Sequence, residues 1–452
     1  MVIEGVTGNM VAYCFELALH GLRRFPKSTA LAVVTVAIGL AASMTTLVLL
    51  HMLSTDPLPG RSQHLYVAWV DTLEAKSQDY DLLDDIKTVG YGRIKMPDVQ
   101  ALMDAHKSLR QTAVANVYLH VDGSHGQAID DQNALLTTGD FIPMFGVALR
   151  EGRSWTADED AAHAPVVVID SDLAQKLFGT SHVIGRTFNV KNHPFRIIGV
   201  SAPYAPQPHF YGLQSWTFSG RNREAVFVPY TSALDAGVAV PGSDGCDDAT
   251  DKDKKLFDVD PKHCAWLGYW VELDTPKQVD DFRRDLDNYA HQQTGLVAFG
   301  KKPQSRLLNV QQWLTMQDVI PDNVRVNVWL AGSFLLLCMV NVAGLLAAKF
   351  MRRSAEVGVR RALGASRRAI VLQHLIEASA VCVLGGVLAW PLTLLGLTLL
   401  RMQDQGFTDL AHMDTAMFGA LFVLALLVGV LVGLLPSWRV SLVQPGLQIK
   451  SA

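Results

Sequence analysis

The residues whose types and spacing suit chemistry fall in two places. The first is a central polar block that holds Cys246 and Cys264, two of the chain's five cysteines. In an oxidising compartment they would form a disulfide closing a loop of about 19 residues, worth ~3 kcal/mol if loop entropy dominates. The stretch between them carries Asp247, Asp248, Asp251, Asp253, Asp258 and Asp260 with four lysines, and reads as a polar excursion that needs tying down. Two free thiols are the alternative. These aspartates lack the glycine and terminal glutamate of a calcium loop. His120 and His125, five apart across a strand and turn, are poorly spaced for a metal. Asp79, Asp81, Asp84 and Asp85 read as a solvated face. Neither a G-x-S-x-G elbow nor a Walker A pattern occurs in the sequence. Metal and cofactor sites are therefore not expected, an anchored ectoenzyme has no supporting motif, and any ATP hydrolysis falls to another chain.

The second place is Met351–Ala369, MRRSAEVGVRRALGASRRA. Ser354–Leu363 is helix-compatible, with Val357, Ala362 and Leu363 apolar among Glu356, Arg360 and Arg361. Gly364-Ala365-Ser366 breaks the helix, and Arg367 leads into an apolar run. A short amphipathic helix of this kind can insert into a groove on a soluble partner. A basic loop with nothing docked is the bland alternative.

Four uncharged apolar runs must position these residues: Ser28–Leu50, Asn327–Ala348, Ala378–Leu400 and Thr415–Pro436. A helix of about 22 residues reaches ~33 Å, enough for a bilayer core of ~30 Å, so each run is a candidate span. Arg23, Arg24 and Lys27 precede the first. Lys349, Arg352, Arg353, Arg360, Arg361, Arg367 and Arg368 lie between the second and third, against Glu356 alone. Only Arg401 faces Asp404, Asp409 and Asp414 after the third, and the tail holds Arg439 and Lys450. By the positive-inside rule both termini and the basic loop are cytoplasmic and the large block is outside. The organisation expected is a cytoplasmic amphipathic helix (1–27), span one (28–52), an outer domain (53–326), span two (327–348), a cytoplasmic loop (349–374), span three (375–400), a short outer loop (401–414), span four (415–436) and a cytoplasmic tail (437–452). The first run is longer than a signal h-region and starts only at Ser28, so it reads as an uncleaved anchor. Hydrophobic residues make up 49% of the chain and the net charge is −4, which hides a basic inner and an acidic outer side. That split reports topology and gives no reason to expect a nucleic-acid partner.

The uncharged stretches hold no ionisable residue, which argues against an ion-coupled carrier. Ser43, Thr45, Thr46, Ser333 and Asn341 suit interhelical hydrogen bonds, with Gly39, Gly332 and Gly344 allowing close packing. Pro391, after Gly385 and Gly386, would bend span three. In the outer domain, strands are expected at His64–Asp71, Pro165–Ile169, twice within Gly185–Val200 around Lys191–His193, at Ala265–Leu273 and at Arg306–Gln312. Helices are expected from Met96 through Leu109, over Ser171–Phe178 before Gly179, and from Thr275-Pro276 to Gly295. The fold class is thus a membrane protein of four transmembrane helices plus a large α+β periplasmic domain, with two lobes.

The basic segment resembles the signature of the MacB/FtsX-like, LolC/LolE-related family of ABC transporter permeases, a run close to R-x-x-E-I-G-I-R-R-A-L-G-A-S-R-R-x-I, here matched from Arg353 to Ile370. Glu377 stands where the family often has a glutamate. Leu17–Gly39 resembles the family's first span. Asp140–Glu159, Pro165–Phe178 and Gly185–Val200 resemble its periplasmic core domain, and Pro436-Ser437-Trp438-Arg439 with Gln444-Pro445 resembles its closing run, with Gln444 in place of the usual aspartate. The resemblance implies a non-catalytic permease subunit of mechanotransmission type in the bacterial inner membrane. Arg353, Glu356, Val357, Gly358, Arg360, Arg361, Ala362, Leu363, Gly364, Ala365 and Ser366 would form the helix that couples to a separate ABC ATPase holding ATP and Mg. It further implies a second permease, identical or paralogous, a periplasmic adaptor protein and contact with membrane lipid. An FtsX-like regulator, passing the same motion to a periplasmic hydrolase or sensor, is the alternative.

Overall fold

The computed structural model describes residues 26–72, 92–123, 128–212, 223–240, 246, 259–297, 304–317, 322–402 and 415–441. Most of the helix expected over 1–27, the Asp79–Asp85 stretch, His125, the interior of the disulfide loop, most of the 401–414 loop and Gln444-Pro445 lie outside them. The chain divides into two compact units, Leu53–Val319 and a membrane unit of Met1–Met52 with Ile320–Ala452.

The outer unit is built on one 11-stranded sheet. Its strands are β1 (Leu65–Val70), β2 (Ile94–Lys95), β3 (Arg110–Gly123), β4 (Ala128–Thr137), β5 (Leu149–Gly152), β6 (Val166–Asp170), β7 (Thr187–Val190), β8 (His193–Ser201), β9 (Val226–Pro229), β10 (Ala265–Glu272) and β11 (Ser305–Asn309). The order is β11-β1-β10-β3-β4-β9-β6-β8-β5, with β2 on β10 and β7 joining β3 to β8. Pairing is antiparallel except β4 with β9 and β6 with β8. Side chains on a strand alternate between faces, and this alternation feeds two cores. Ala68, Ala113, Ala115, Leu136, Val167, Ile169 and Val226 enter one; Leu65, Val67, Val114, Leu135, Val166, Val168 and Phe227 enter the other. A sheet buried on both faces explains the continuous apolar runs of β6 and β9.

Helices α2 (Met96–Asp104), α5 (Ser171–Phe178), α6 (Tyr230–Asp235) and α7 (Pro276–Val297) cover the first face with Val99, Leu173, Leu177, Ala233, Phe282 and Leu286. The short helices α3 (Phe141–Met144) and α8 (Val310–Met316) cover the second with Phe141, Ile142, Val310 and Trp313; α4 (Ala157–Ala161) has no buried residue. Asp170 caps α5 by accepting from the Leu173 amide, and Gly179 ends it at φ 70°, a left-handed conformation that glycine adopts without a Cβ penalty.

Local departures from expectation have local causes. The helix opening at Met96 stops at Asp104, because His106 turns the chain at φ 48° and the Leu109 amide joins the sheet through the Glu272 carbonyl. The helix from Pro276 runs past Gly295 to Val297. The last strand ends at Asn309, whose side chain forms a reciprocal capping box with Gln312 and starts a helix. Where two lobes were expected, the strands from both ends and from the middle join one sheet within one compact unit.

In the membrane unit α1 (Pro26–Ser54), α9 (Asp322–Met351), α11 (Arg367–Arg401) and α12 (Thr415–Ser441) are long and apolar enough to cross a membrane. Each encloses one of the apolar runs, and α11 begins well inside what the sequence suggested as loop. It continues unbroken through Pro391. Small residues set the packing. A Cβ on Gly433 would sit 2.6 Å from the Ala378 Cβ, and one on Gly385 would sit 2.7 Å from Val36 Cγ1. Gly39 packs on Cys338 in the same way, whereas Gly332 and Gly344 face open space. Among the polar residues, Ser43 crosses to the Ala331 carbonyl at 3.2 Å, while Thr45, Thr46 and Ser333 bond back to carbonyls four residues earlier. The span interiors therefore hold together mainly by close packing of small residues.

Candidate coupling site

The basic segment folds as α10 (Ser354–Ala362), a two-turn helix between α9 and α11. Leu363 is its C-cap, Gly364 turns the chain at φ +101°, and Ser366 caps α11 by accepting from the Ala369 amide at 3.2 Å. Glycine at the first and serine at the second position are what these backbone geometries favour. The helix has two different faces. Val357 and Gly358 are buried, and Val357 belongs to the core shared with Ile370, Phe350 and Val440. Val359 is 53% exposed and Leu363 83% exposed, four residues apart on one side of the helix. Ala362 is exposed too, and Ala365 packs partly against the core.

Three arginines hold α10 in place. The Arg360 guanidinium donates to Glu356 Oε1 at 2.7 Å and to Gln373 Oε1 on α11 at 3.1 Å. Arg361 donates to the Ser441 carbonyl at the end of α12 at 3.1 Å. Arg353, at the helix N-cap, reaches Glu377 Oε2 at 3.5 Å. Glu377 is 1% exposed, and its other oxygen pairs with Lys349 Nζ at 2.8 Å. Lys349, itself buried, also donates to Thr29 Oγ1 on α1 at 3.1 Å. Beside this cluster the rings of Phe350 and His374 meet edge to face at 4.4 Å. The structure thus joins Arg353 to Glu377, and it adds Thr29, Lys349, Gln373 and Ser441, which the sequence did not single out. The signal for Lys349 and Glu377 was present, as charges just outside two uncharged runs, but their mutual pairing depends on how the helices pack.

The outer unit contains the Cys246–Cys264 disulfide. Among the described residues no group of three His, Cys, Asp or Glu could hold a metal. A polar cleft of about 630 Å³ is lined by Tyr118, Asn133, Asp170, Asp172, Lys176 and Arg223 among others. Arg223 bridges Asp170 at 2.6 Å and Asp172 at 2.7 Å. Burial raises the Asp170 pKa, whereas the hydrogen bond from Arg223 lowers that of Asp172. Both acids are paired with Arg223, and Asp170 is committed to capping α5, so this is supporting structure. A second buried carboxylate, Glu224, takes all its contacts on one oxygen: Asn116 at 2.7 Å, His209 at 2.9 Å and Tyr211 at 3.3 Å. Of its partners, His209 packs on Tyr211 at 4.3 Å, and Tyr211 meets Phe141 and Phe145 edge to face at 5.1 and 5.4 Å.

The chain is similar in sequence to known proteins. Residues 29–289 match the MacB-like periplasmic core domain family, and residues 328–445 match the FtsX-like permease C-terminal family. The macrolide export ATP-binding/permease protein MacB of Salmonella paratyphi A is 26% identical over 314 residues, which is 69% of this chain and 42% of that protein. MacB of Shewanella sp. strain W3-18-1 is 25% identical over 306 residues, covering 68% of this chain and 41% of that protein. The chain therefore spans well under half the length of these curated relatives. The periplasmic region of MacB from Actinobacillus actinomycetemcomitans aligns at 14% identity with a TM-score of 0.36, covering 58% of this chain and 95% of that one. The two family matches take in most of the chain, and the protein belongs to the FtsX-like permeases that carry a MacB-like periplasmic core domain.

Proposed function

We propose that this chain is the permease subunit of a mechanotransmission-type ABC transporter, with α10 as the helix that docks into a separate ATPase subunit carrying ATP and Mg. One observation carries the reading. A short helix exposes Val359 and Leu363 on one side while its other side is buried and strapped to α11 and α12. An exposed apolar pair on an otherwise basic helix suits a groove on a soluble partner, and the anchored side lets a push on that pair reach the spans. Both termini and α10 would lie in the cytoplasm, as the lysine and arginine distribution requires. Two permeases would pair, and ATP-driven closure would move the periplasmic domain to expel a substrate, by way of an adaptor protein.

The test is a complex with the partner ATPase in lipid discs, comparing Gly358→Pro and Arg360→Glu with the wild type. Both variants should insert normally and keep basal hydrolysis, while function per ATP hydrolysed collapses. Unchanged coupling in both would refute the assignment of α10. Identification of the outer partner as an adaptor or as a hydrolase separates export from the FtsX-like regulatory alternative.

A further inference from the structure

We infer that Glu377 is a positioning residue that ties the coupling helix to three spans at once, so that α10 cannot move without them. The inference rests on the proposed coupling role of α10, and it assigns the part that passes motion from that helix into the bundle. Glu377 gives one carboxylate oxygen to each of two cations on different elements: Oε1 to Lys349 at the end of α9, and Oε2 to Arg353 at the N-cap of α10. Lys349 continues the chain of contacts to Thr29 on α1. Glu377 itself sits on α11. Three elements therefore meet at one carboxylate, and Lys349 brings in a fourth through Thr29.

Burial and charge argue that this is more than positive-inside composition. A lysine at the end of a span ordinarily snorkels, leaving its ammonium in water. Lys349 does the opposite, with its side chain 3% exposed and turned toward Glu377. Buried ion pairs are poor investments for stability, because apolar residues of similar volume fill the same space as well or better. They do fix register, since each charge accepts only one arrangement of its partners. A second link in the same place, the Phe350–His374 ring contact, holds α9 to α11 but does not reach α10. Within this cluster the Arg353 arm is the one that includes the coupling helix, beside the separate ties of Arg360 to Gln373 and Arg361 to Ser441, and joining it to Lys349 needs both Glu377 oxygens to face a cation. A glutamine would present an amide NH₂ to one of the two cations, and that arm would open.

The experiment uses the full chain in lipid discs, alone and with its ATPase, in three forms: wild type, Glu377→Gln, and Lys349→Met/Glu377→Met. The double variant keeps the volume and removes the buried Lys349–Glu377 pair together, leaving the more exposed Arg353, so it folds even where the single variant is poorly stable. Hydrogen exchange of the amides of Ser354–Ala362 is followed beside that of the span amides. The inference predicts exchange of the α10 amides faster by about tenfold or more in both variants, with span amides unchanged, because local opening loses its anchor. It also predicts a matching loss of function per ATP hydrolysed. A purely structural cluster would leave the double variant like the wild type in both readouts, and that result overturns the inference. Faster α10 exchange with no ATPase bound to the wild type would uphold the positioning role and refute the proposed coupling instead.

Discussion

Among the described residues each unit of this protein buries one glutamate almost completely, and the two are used differently. Glu224 in the outer unit receives Asn116, His209 and Tyr211 on a single oxygen, and all of these belong to the sheet and the loop packed on it. Glu377 in the membrane unit splits its two oxygens between cations on separate elements. The first arrangement closes a core on itself. The second links α9, α10 and α11 across a shared apolar core, beside the hydrogen bonds of Arg360 and Arg361. A rigid body gains from satisfying a buried charge locally; a set of helices that must move together gains from a charge whose partners lie on different helices.

Removing each carboxylate breaks this comparison most sharply. Glu377→Ala leaves Lys349 buried beside no anion and should cost about 3–5 kcal/mol, read as a loss of the folded bundle in detergent denaturation and a loss of coupling. Glu224→Ala should cost about 1–3 kcal/mol, the usual penalty for a stranded buried donor set. It should lower the unfolding temperature of the outer unit while leaving function per ATP hydrolysed, measured on the folded fraction, at the wild-type level. If Glu224→Ala impaired coupling as strongly as Glu377→Ala, the distinction between the two sites would fail.

Glycine substitutions sharpen the same contrast within the membrane. Gly433→Val places a side chain against Ala378 on α11, where overpacking typically costs 1–3 kcal/mol, about the price of losing one helix contact. Gly344→Val points into open space and should stay within about 0.5 kcal/mol of the wild type. Thermal unfolding of both variants in the same detergent checks the difference.

The smallest effect is a titration confined to the outer unit. Burial raises the Asp160 carboxyl to about 6, against its bonds from the Gly139 amide and the Trp155 indole. Its native pKa lies above the unfolded value, so the folded state holds this proton more tightly. The corresponding stability is present in full below the unfolded pKa and is lost as the pH rises through about 6. This contribution to the unfolding temperature of the outer unit should fall as the pH rises from the unfolded pKa to about 6 and level off above it, and it should vanish in Asp160→Asn.

Much of this architecture was readable in the residues themselves. Uncharged runs marked the spans, Gly364 and Ser366 bounded α10, and Gly179, Thr275 and the Lys191–His193 turn marked outer elements, because each of these signals acts within a few residues. Of the long β3–β4 hairpin only the strand at His120 was read: stretches such as Thr112–Asn116 mix alanine and asparagine with valine, and strand propensity there is weak. Lys349 with Glu377, Arg361 with Ser441, and Asn116 with Glu224 could not be paired in advance, since their partners are set by packing between distant segments. The last strand was carried past Asn309 to Gln312 because the Asn309 cap, which starts a helix at Val310, competes locally with the sheet pattern before it.

The central claim is that the exposed side of α10 receives an ATPase. A photo-crosslinking residue placed at Leu363, with another at Leu337, an exposed residue within the span α9, as control, tests it in native membranes. The account predicts that a protein bearing a Walker A sequence is attached at position 363 and absent at 337. Attachment at neither position, with α10 intact, would contradict it.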